Sequence, residues 1–349
     1  MQPMKSYRIA SIPGDGIGNE VIPAGIEVLQ KLQDGFRLEF EHFDWSSDRY
    51  KKEGAYIPDG GLERLKKFDA IFFGAVGAPD VPDHISLWGL RLPICQGFDQ
   101  YANVRPSRVL PGITSPLDKG RDIDWVIVRE NTEGEYSGSG GRVHKGLPEE
   151  LATETSVFTR KGIERVHRFA FELARKRKKH LTLVTKSNAQ RYGMVLWDEV
   201  CDEVQEGFPD IQTERVLVDA MTTRMVLKPA SIDTVVASNL HADILSDLAA
   251  ALSGSLGIAP TANLNPGRTF PSMFEPIHGS AFDITGKGVA NPIATFWTAS
   301  MMLDHLGETK TAARLMKAIE AVTAKKVFTP DLGGTARTSD VTRAVLAAL

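Results

Sequence analysis

Cysteine is nearly absent: Cys95 and Cys201 are the only two in 349 residues. Two thiols exclude a disulfide framework and a cysteine-rich zinc site. A charge excess is missing too. Lys plus Arg number 41 against 44 Asp plus Glu, a formal net charge of -3, without the basic surplus of a dedicated nucleic-acid binder. No run approaches the roughly twenty apolar residues that span a bilayer. The opening MQPMKSYRIASIPGDG has neither the apolar core nor the small-residue cleavage site of a secretion signal. Internal repeats and low-complexity linkers are also lacking. These absences leave a globular protein expected in the cytoplasm, with neither membrane nor nucleic acid as partner. What the chain does have is apolar content, 42% of a length that suits about two domains.

Short apolar runs alternate with helical periodicity. Tyr7–Ile12 predicts a strand that ends in Pro13-Gly14-Asp15-Gly16, and Val21, Ile22, Ile26, Leu29 and Leu32 then recur at helical spacing. RLEFEHFDW (37–45) alternates like a strand, and DAIFFGAVG (69–77) is the continuous apolar run of a buried parallel strand. DWVIVRE (124–130), HLTLVTK, ERVLVDAM and TVVASN (234–239) predict further strands. A long helix is expected from Phe158 to Lys178, closing on the basic run 175–179, which reads as a solvated helix end. Two late helices are expected around 290–304 and 308–325. ENTEGEYSGSGGRV (130–143) reads as irregular. Strand and helix in alternation predict α/β with a largely parallel sheet.

Several residue sets point to chemistry. Gly14-Asp15-Gly16-Ile17-Gly18-Asn19 opens a helix, with Glu39 or Glu41 at the end of the next strand, which tempts a dinucleotide fingerprint. Its sixth position is Asn19 rather than Gly, so a plain strand–helix turn explains it as well. Asp243 and Asp247, four apart on a predicted helix among Ile244, Leu245 and Leu248, put two carboxylates on one face that is not an ordinary solvated one. Asp219 is expected to end a strand. Hard carboxylate oxygens suit Mg²⁺ or Mn²⁺, although helix N-terminal acids placed for the dipole give the same pattern. Arg105 and Arg129, expected directly after strands, suit bidentate carboxylate clamps or ordinary salt bridges. Tyr136 and Lys186 are an acid and a base if their surroundings shift them. His278-Gly279-Ser280 with Asp283 lies in a stretch without regular structure, where Asp283 suits a ribose diol.

Taken together, PGDGIGNEV, NVRP, VRENTEGEYSG, VTKSN, VDAM, SNLHADILSDL, EPIHGSAFDITGKGVANP and TPDLGGTA run through the chain in one order. In them the sequence resembles the β-decarboxylating dehydrogenases, the isocitrate/isopropylmalate type, most of all the tartrate and D-malate dehydrogenase branch. The resemblance implies two interleaved α/β domains sharing a large mixed sheet, not a Rossmann fold. Residues 1–103 plus 256–349 would form the nucleotide-binding domain, and 104–255 the metal, substrate and dimerisation domain. It implies NAD, Mn²⁺ or Mg²⁺, a monovalent cation such as K⁺, and a homodimer in which Lys186 and Asp219 reach into the partner's cleft.

By the same resemblance Arg105 and Arg129 bind substrate carboxylate, Tyr136 and Lys186 are catalytic with Asp219, and Asp219, Asp243 and Asp247 hold the metal. Asn188, Glu275, His278, Gly279, Ser280, Ala281, Asp283 and Asn291 would face the dinucleotide. Two positions depart from the pattern: Cys95 stands where a further substrate arginine is usual, leaving Arg91 as the nearest substitute, and Phe282 stands where proline is usual. The segment His84-Ile85-Ser86-Leu87-Trp88-Gly89 would contact the C3 substituent, with Trp88 limiting its size and His84 offering a hydrogen bond. The expected activity is oxidation, with or without decarboxylation, of tartrate or D-malate. 3-Isopropylmalate dehydrogenase is the alternative enzyme, and a non-catalytic regulatory subunit the alternative of another class. Intact Tyr136, Lys186 and aspartates weigh against the latter.

Overall fold

The computed structural model describes residues 4–117 and 122–349. Its strands are β1 (Lys5–Gly14), β2 (Phe36–His42), β3 (Ala70–Ala75), β4 (Ala102–Arg108), β5 (Asp124–Glu130), β6 (Gly134–Val143), β7 (Leu151–Val157), β8 (His180–Thr185), β9 (Gln212–Leu217), β10 (Thr234–Ala237), β11 (Pro260–Leu264) and β12 (Ser272–Pro276). The chain divides into two compact units. One comprises residues 1–100, 108–121 and 250–349, the other 101–107 and 122–249. Against the expected bounds, 108–121 and 250–255 group with the terminal segments, and 101–103 with the middle.

In the first unit the strands lie in the order β2-β1-β3-β12-β11. β1 pairs in parallel with β2 and β3, β12 in parallel with β3, and β11 antiparallel to β12, so the sheet is mixed. All six residues of β3 are buried, as a strand covered on both faces requires. The helix Ile293–His305 is buried over ten of its thirteen residues, which explains its nearly unbroken apolar sequence. Because β1, β3 and β12 run in one direction, the turn after Gly14, the loop after Ala75 and the stretch after Pro276 all leave from one edge of the sheet. That carboxyl edge is where open α/β sheets collect ligands.

The second unit has the order β4-β5-β10-β8-β9, with β5, β10, β8 and β9 mutually parallel. Within this unit the end of β5, with Arg129, lies at the carboxyl edge of the strands, and Lys186, Asp219 and the start of the helix Asn239–Leu252 follow that edge. The basic run after the helix Arg160–Arg175 is tied down: Arg175 and Lys179 pair with Asp210, and Arg177 pairs with Asp124 and Asp233.

Three expectations need correction. The stretch 130–143, read as irregular, contains β6, which pairs antiparallel with β7 in a separate hairpin. Nearly the whole hairpin is exposed, so no buried face imprints alternation on its sequence. Asp219 does not end a strand: β9 stops at Leu217, and Asp219 sits in the first turn of the helix Val218–Leu227. Arg105 and Arg129 lie inside β4 and β5 rather than after them, which is possible because carboxylate and amide partners meet both guanidiniums. The closing helix Thr338–Ala348 was not anticipated. Among the described residues, no helix is long and apolar enough to cross a membrane.

Candidate active site

In the second unit Asp243 is the hub. It projects from the helix Asn239–Leu252 and is met by both strand arginines: Arg105 Nη1 donates to Oδ1 at 3.0 Å, and Arg129 Nη1 makes a short contact with the same oxygen. Arg105 also donates to Asn103 Oδ1 at 2.8 Å and to Ser246 Oγ at 2.6 Å, while Arg129 donates from Nε to Asn239 Oδ1 at 2.8 Å. With Arg129 only 2% exposed, these partners hold a buried guanidinium in one pose. The Tyr136 hydroxyl donates to Asp243 Oδ2 at 3.1 Å, and the Arg129 guanidinium lies 5.3 Å from the Tyr136 ring centroid. Burial first, and then the Asp243 charge, push the Tyr136 phenol up from its usual value. It stays protonated and able to give a proton.

Asp247 follows one turn on. Burial raises its carboxyl pKa, the Asp243 charge acts in the same direction, and the two arginines oppose them. Asp247 itself is exposed; a carboxylate beside another is what a hard divalent cation relieves, and carboxylate oxygens of this kind would suit Mn²⁺ or Mg²⁺. Asp219 is elsewhere engaged: Lys186 Nζ donates to its Oδ1 at 2.8 Å, and this bond holds its carboxyl below the ordinary range. Its side chain is 67% exposed. Among the described residues, no three His, Cys, Asp or Glu side chains gather to hold a metal within one chain. Asn188 is exposed in the turn after β8.

The first unit carries the other expected residues. At Gly16, a Cβ would stand 2.0 Å from the Ser280 carbonyl oxygen, and the Ile17 N–H donates to that oxygen at 2.8 Å. Glycine is needed here for close backbone approach, so the glycine turn serves to seat the loop after β12. Ala281 adopts a left-handed φ of 41° and packs with Ile284 against Ile17, Val21 and Ala290, leaving Phe282 and Asp283 exposed. His278 Nδ1 lies 3.0 Å from the Gly279 oxygen, its Nε2 is buried with no partner, and burial lowers its pKa. An orphaned ring nitrogen beside an open loop with exposed Gly279 and Asp283 fits a nucleotide. Asn291 is already used: it donates to Asp331 Oδ2 at 3.0 Å and accepts from the Ile293 N–H at 3.0 Å. Glu275 accepts from Arg91 Nε and from Asn263 Nδ2, both at 2.8 Å. Trp88 is 41% exposed on a π-helical turn, Leu87–Arg91, and His84 is exposed near it in sequence, whereas Ser86 is buried with its hydroxyl on the Asp83 carbonyl.

Sequence reasoning passed over Asn103, Asn239 and Ser246, which fix the arginines. It also passed over Glu135, which caps the helix Asn239–Leu252 by accepting from Ser238 Oγ at 2.8 Å and the Leu240 N–H at 3.1 Å. Nothing in their local spacing sets such polar residues apart.

The family model for isocitrate/isopropylmalate dehydrogenase matches residues 8–345. Over 352 aligned residues the chain is 67% identical to a protein of Agrobacterium vitis named "Probable tartrate dehydrogenase/decarboxylase", with 99% of this chain and 98% of that one covered. It is 52% identical to the D-malate dehydrogenase [decarboxylating] of Escherichia coli strain K12, with 98% of each covered. A crystal structure of isocitrate dehydrogenase from Methylococcus capsulatus is similar with a TM-score of 0.89 at 34% identity, over 98% of this chain and 99% of that one.

Proposed function

Because the chain belongs to the isocitrate/isopropylmalate dehydrogenase family, we propose that it oxidises a small 2-hydroxy dicarboxylic acid, D-malate or a tartrate, with NAD⁺, and releases CO₂ where the oxidised product carries a β-carboxylate. The names of its relatives support the substrate class. The observation that carries the reading is the Arg105–Asp243–Arg129 cluster with Tyr136 upon it. Two buried guanidiniums offer the planar donors that suit a substrate carboxylate, the more so once a cation takes up the charge of Asp243 and Asp247.

Asp243 and Asp247, with Asp219 of a second copy of the chain, would hold Mn²⁺ or Mg²⁺. Such a cation lowers the pKa of the 2-hydroxyl and neutralises charge that develops as CO₂ departs. The protein's own groups do the rest. Arg105 and Arg129 orient a substrate carboxylate, Lys186 of the second copy takes the hydroxyl proton as hydride leaves C2 for NAD⁺, and Tyr136 returns a proton to carbon after decarboxylation. Lys186 is ion-paired with Asp219, a bond that a cation on Asp219 would release so that the amine can act as base, and the Tyr136 phenol is held in its acid form. The dinucleotide would lie along Glu275 and the loop His278–Asp283, with Asp283 accepting from a ribose diol.

Pairing of two chains draws support from the β6–β7 hairpin. A lone two-stranded ladder is marginal in water, and here Val143, Leu147, Leu151 and Val157 are all exposed on it. The decisive experiment offers D-malate, L-tartrate, meso-tartrate, isopropylmalate and isocitrate with NAD⁺ and Mn²⁺, following NADH and CO₂ together. Turnover of D-malate or a tartrate is expected; turnover confined to isopropylmalate or isocitrate refutes the substrate assignment.

A further inference from the structure

Asp15, in the middle of the glycine turn, takes no part in the chemistry above, yet its carboxylate is buried. Oδ1 accepts the Ser47 N–H at 2.7 Å, and Oδ2 accepts the Ser47 hydroxyl at 2.6 Å and the Gly77 N–H at 2.8 Å. Having given its proton to the carboxylate, Ser47 Oγ accepts from the Tyr56 hydroxyl, 2.8 Å away. Asp15, Ser47 and Tyr56 are each 5% exposed or less. Such a fully satisfied buried network specifies one arrangement of the segments it joins.

The ring of Tyr56 does as much as its hydroxyl. One face stacks on Tyr50, with centroids 5.0 Å apart and planes at 14°. Its edge lies under Gly89, where an added Cβ would stand 2.5 Å from Cδ2. Tyr56 thus meets the segment Asp83–Arg91 at Gly89, ring against backbone, while its hydroxyl is held by Ser47. That segment carries His84, Trp88 and Arg91, and its last five residues form the π-helical turn. A π turn has little stability of its own. The direction in which Trp88 leaves it depends on what the turn rests upon.

We propose that Tyr56 is a positioning residue for substrate size, fixing the π turn so that Trp88 excludes bulky C3 substituents, with Asp15 and Ser47 anchoring Tyr56 to the glycine turn. This rests on the reading of Asp83–Arg91 as the substrate-facing segment of a dicarboxylate dehydrogenase.

The test compares wild type, Tyr56→Phe and Gly89→Ala in kcat/KM for D-malate and for isopropylmalate, in equilibrium NADH binding and in melting temperature. Tyr56→Phe keeps the ring and loses only the hydroxyl; Gly89→Ala presses on the same ring from the other side. Both are expected to lower the preference for D-malate about tenfold, the scale on which apolar pockets sort substrates by size. The loss should appear in KM for the acid, with NADH affinity within about twofold of wild type. A preference unchanged in both variants, with or without a lower melting temperature, reduces Tyr56 to a structural role and overturns the proposal. A wild type that binds NADH but oxidises neither acid overturns the functional reading itself, and this proposal with it.

Discussion

Arg91 and Glu275 lie 184 residues apart and form a nearly dry ion pair, Nε to Oε1 at 2.8 Å, with side chains 11% and 6% exposed. Arg91 was expected to bind substrate and Glu275 to face the dinucleotide. Each is now bound to the other, with Asn263 bridging both. Removing one member of such a pair leaves a buried charge without compensation. Glu275→Ala is expected to lower unfolding free energy by about 3–5 kcal/mol, read from urea denaturation, and Arg91→Leu by a similar amount. A loss under about 1 kcal/mol in both would show that water reaches the pair.

Asp243→Asn should weaken Mn²⁺ binding by at least about tenfold and sharply reduce turnover, because one carboxylate fewer faces the cation. Free Mn²⁺ measured by electron paramagnetic resonance during titration reports the first effect without reference to activity. An unchanged titration would remove Asp243 from the metal site and leave it as the counter-ion of Arg105 and Arg129 alone.

Roles within the site separate by substrate. Tyr136→Phe is expected to impair decarboxylating turnover more than hydride transfer, since the phenol serves a carbon that becomes basic only after CO₂ leaves. Lys186→Met should cripple both. The comparison needs one substrate that is decarboxylated and one that is oxidised only. If Tyr136→Phe stopped simple oxidation while Lys186→Met did not, the two assignments would be exchanged.

A 2′-phosphate would meet the carboxylate of Asp283, and Ile284 beside it offers no cation. NAD⁺ is therefore expected to outperform NADP⁺ clearly in kcat/KM. Equal efficiency with the two would place the ribose elsewhere.

His167 governs an acid limit. Its ring lies 4.3 Å from that of Trp197, and burial pushes its pKa from 6.5 down to about 3, with Arg215 acting in the same direction. Between pH 6.5 and 3 the unfolded chain holds a proton that the folded one refuses, so stability falls as pH drops through that window and levels off below it. His167→Phe should abolish roughly 2 kcal/mol of the wild-type loss between pH 7 and pH 5. Urea midpoints at the two pH values measure it, and parallel losses in the two proteins would exclude His167 as the cause.

Buried parallel strands were the most legible part of the fold. β3 and β5 are covered on both faces, so burial writes itself as the runs AIFFGA and DWVIVRE. The hairpin β6–β7 left no such mark, because exposure on both faces removes the alternation that announces a strand. Family membership could be read from the order of the motifs, and the family model bears it out across residues 8–345. The aspartates drew notice by their helical spacing, whereas the clasp of Asp243 by two strand arginines depends on contacts over more than a hundred residues. Tyr56 was invisible for the same reason. Its hydroxyl matters through Ser47 and Asp15, and no periodicity links those positions.

The broken course of the first unit also sets the order in which it can be made. β3 leaves the ribosome early, but its parallel neighbour β12 is synthesised roughly 200 residues later, a wait of about 10–40 s at ordinary translation rates. Throughout that interval AIFFGA has one unpaired edge and no helix Ile293–His305 nearby to cover it. A strand of that composition is a ready template for another chain. The same burial that makes β3 the centre of the finished sheet makes the nascent protein a substrate for chaperones, and truncated products ending before Ser272 prone to aggregate.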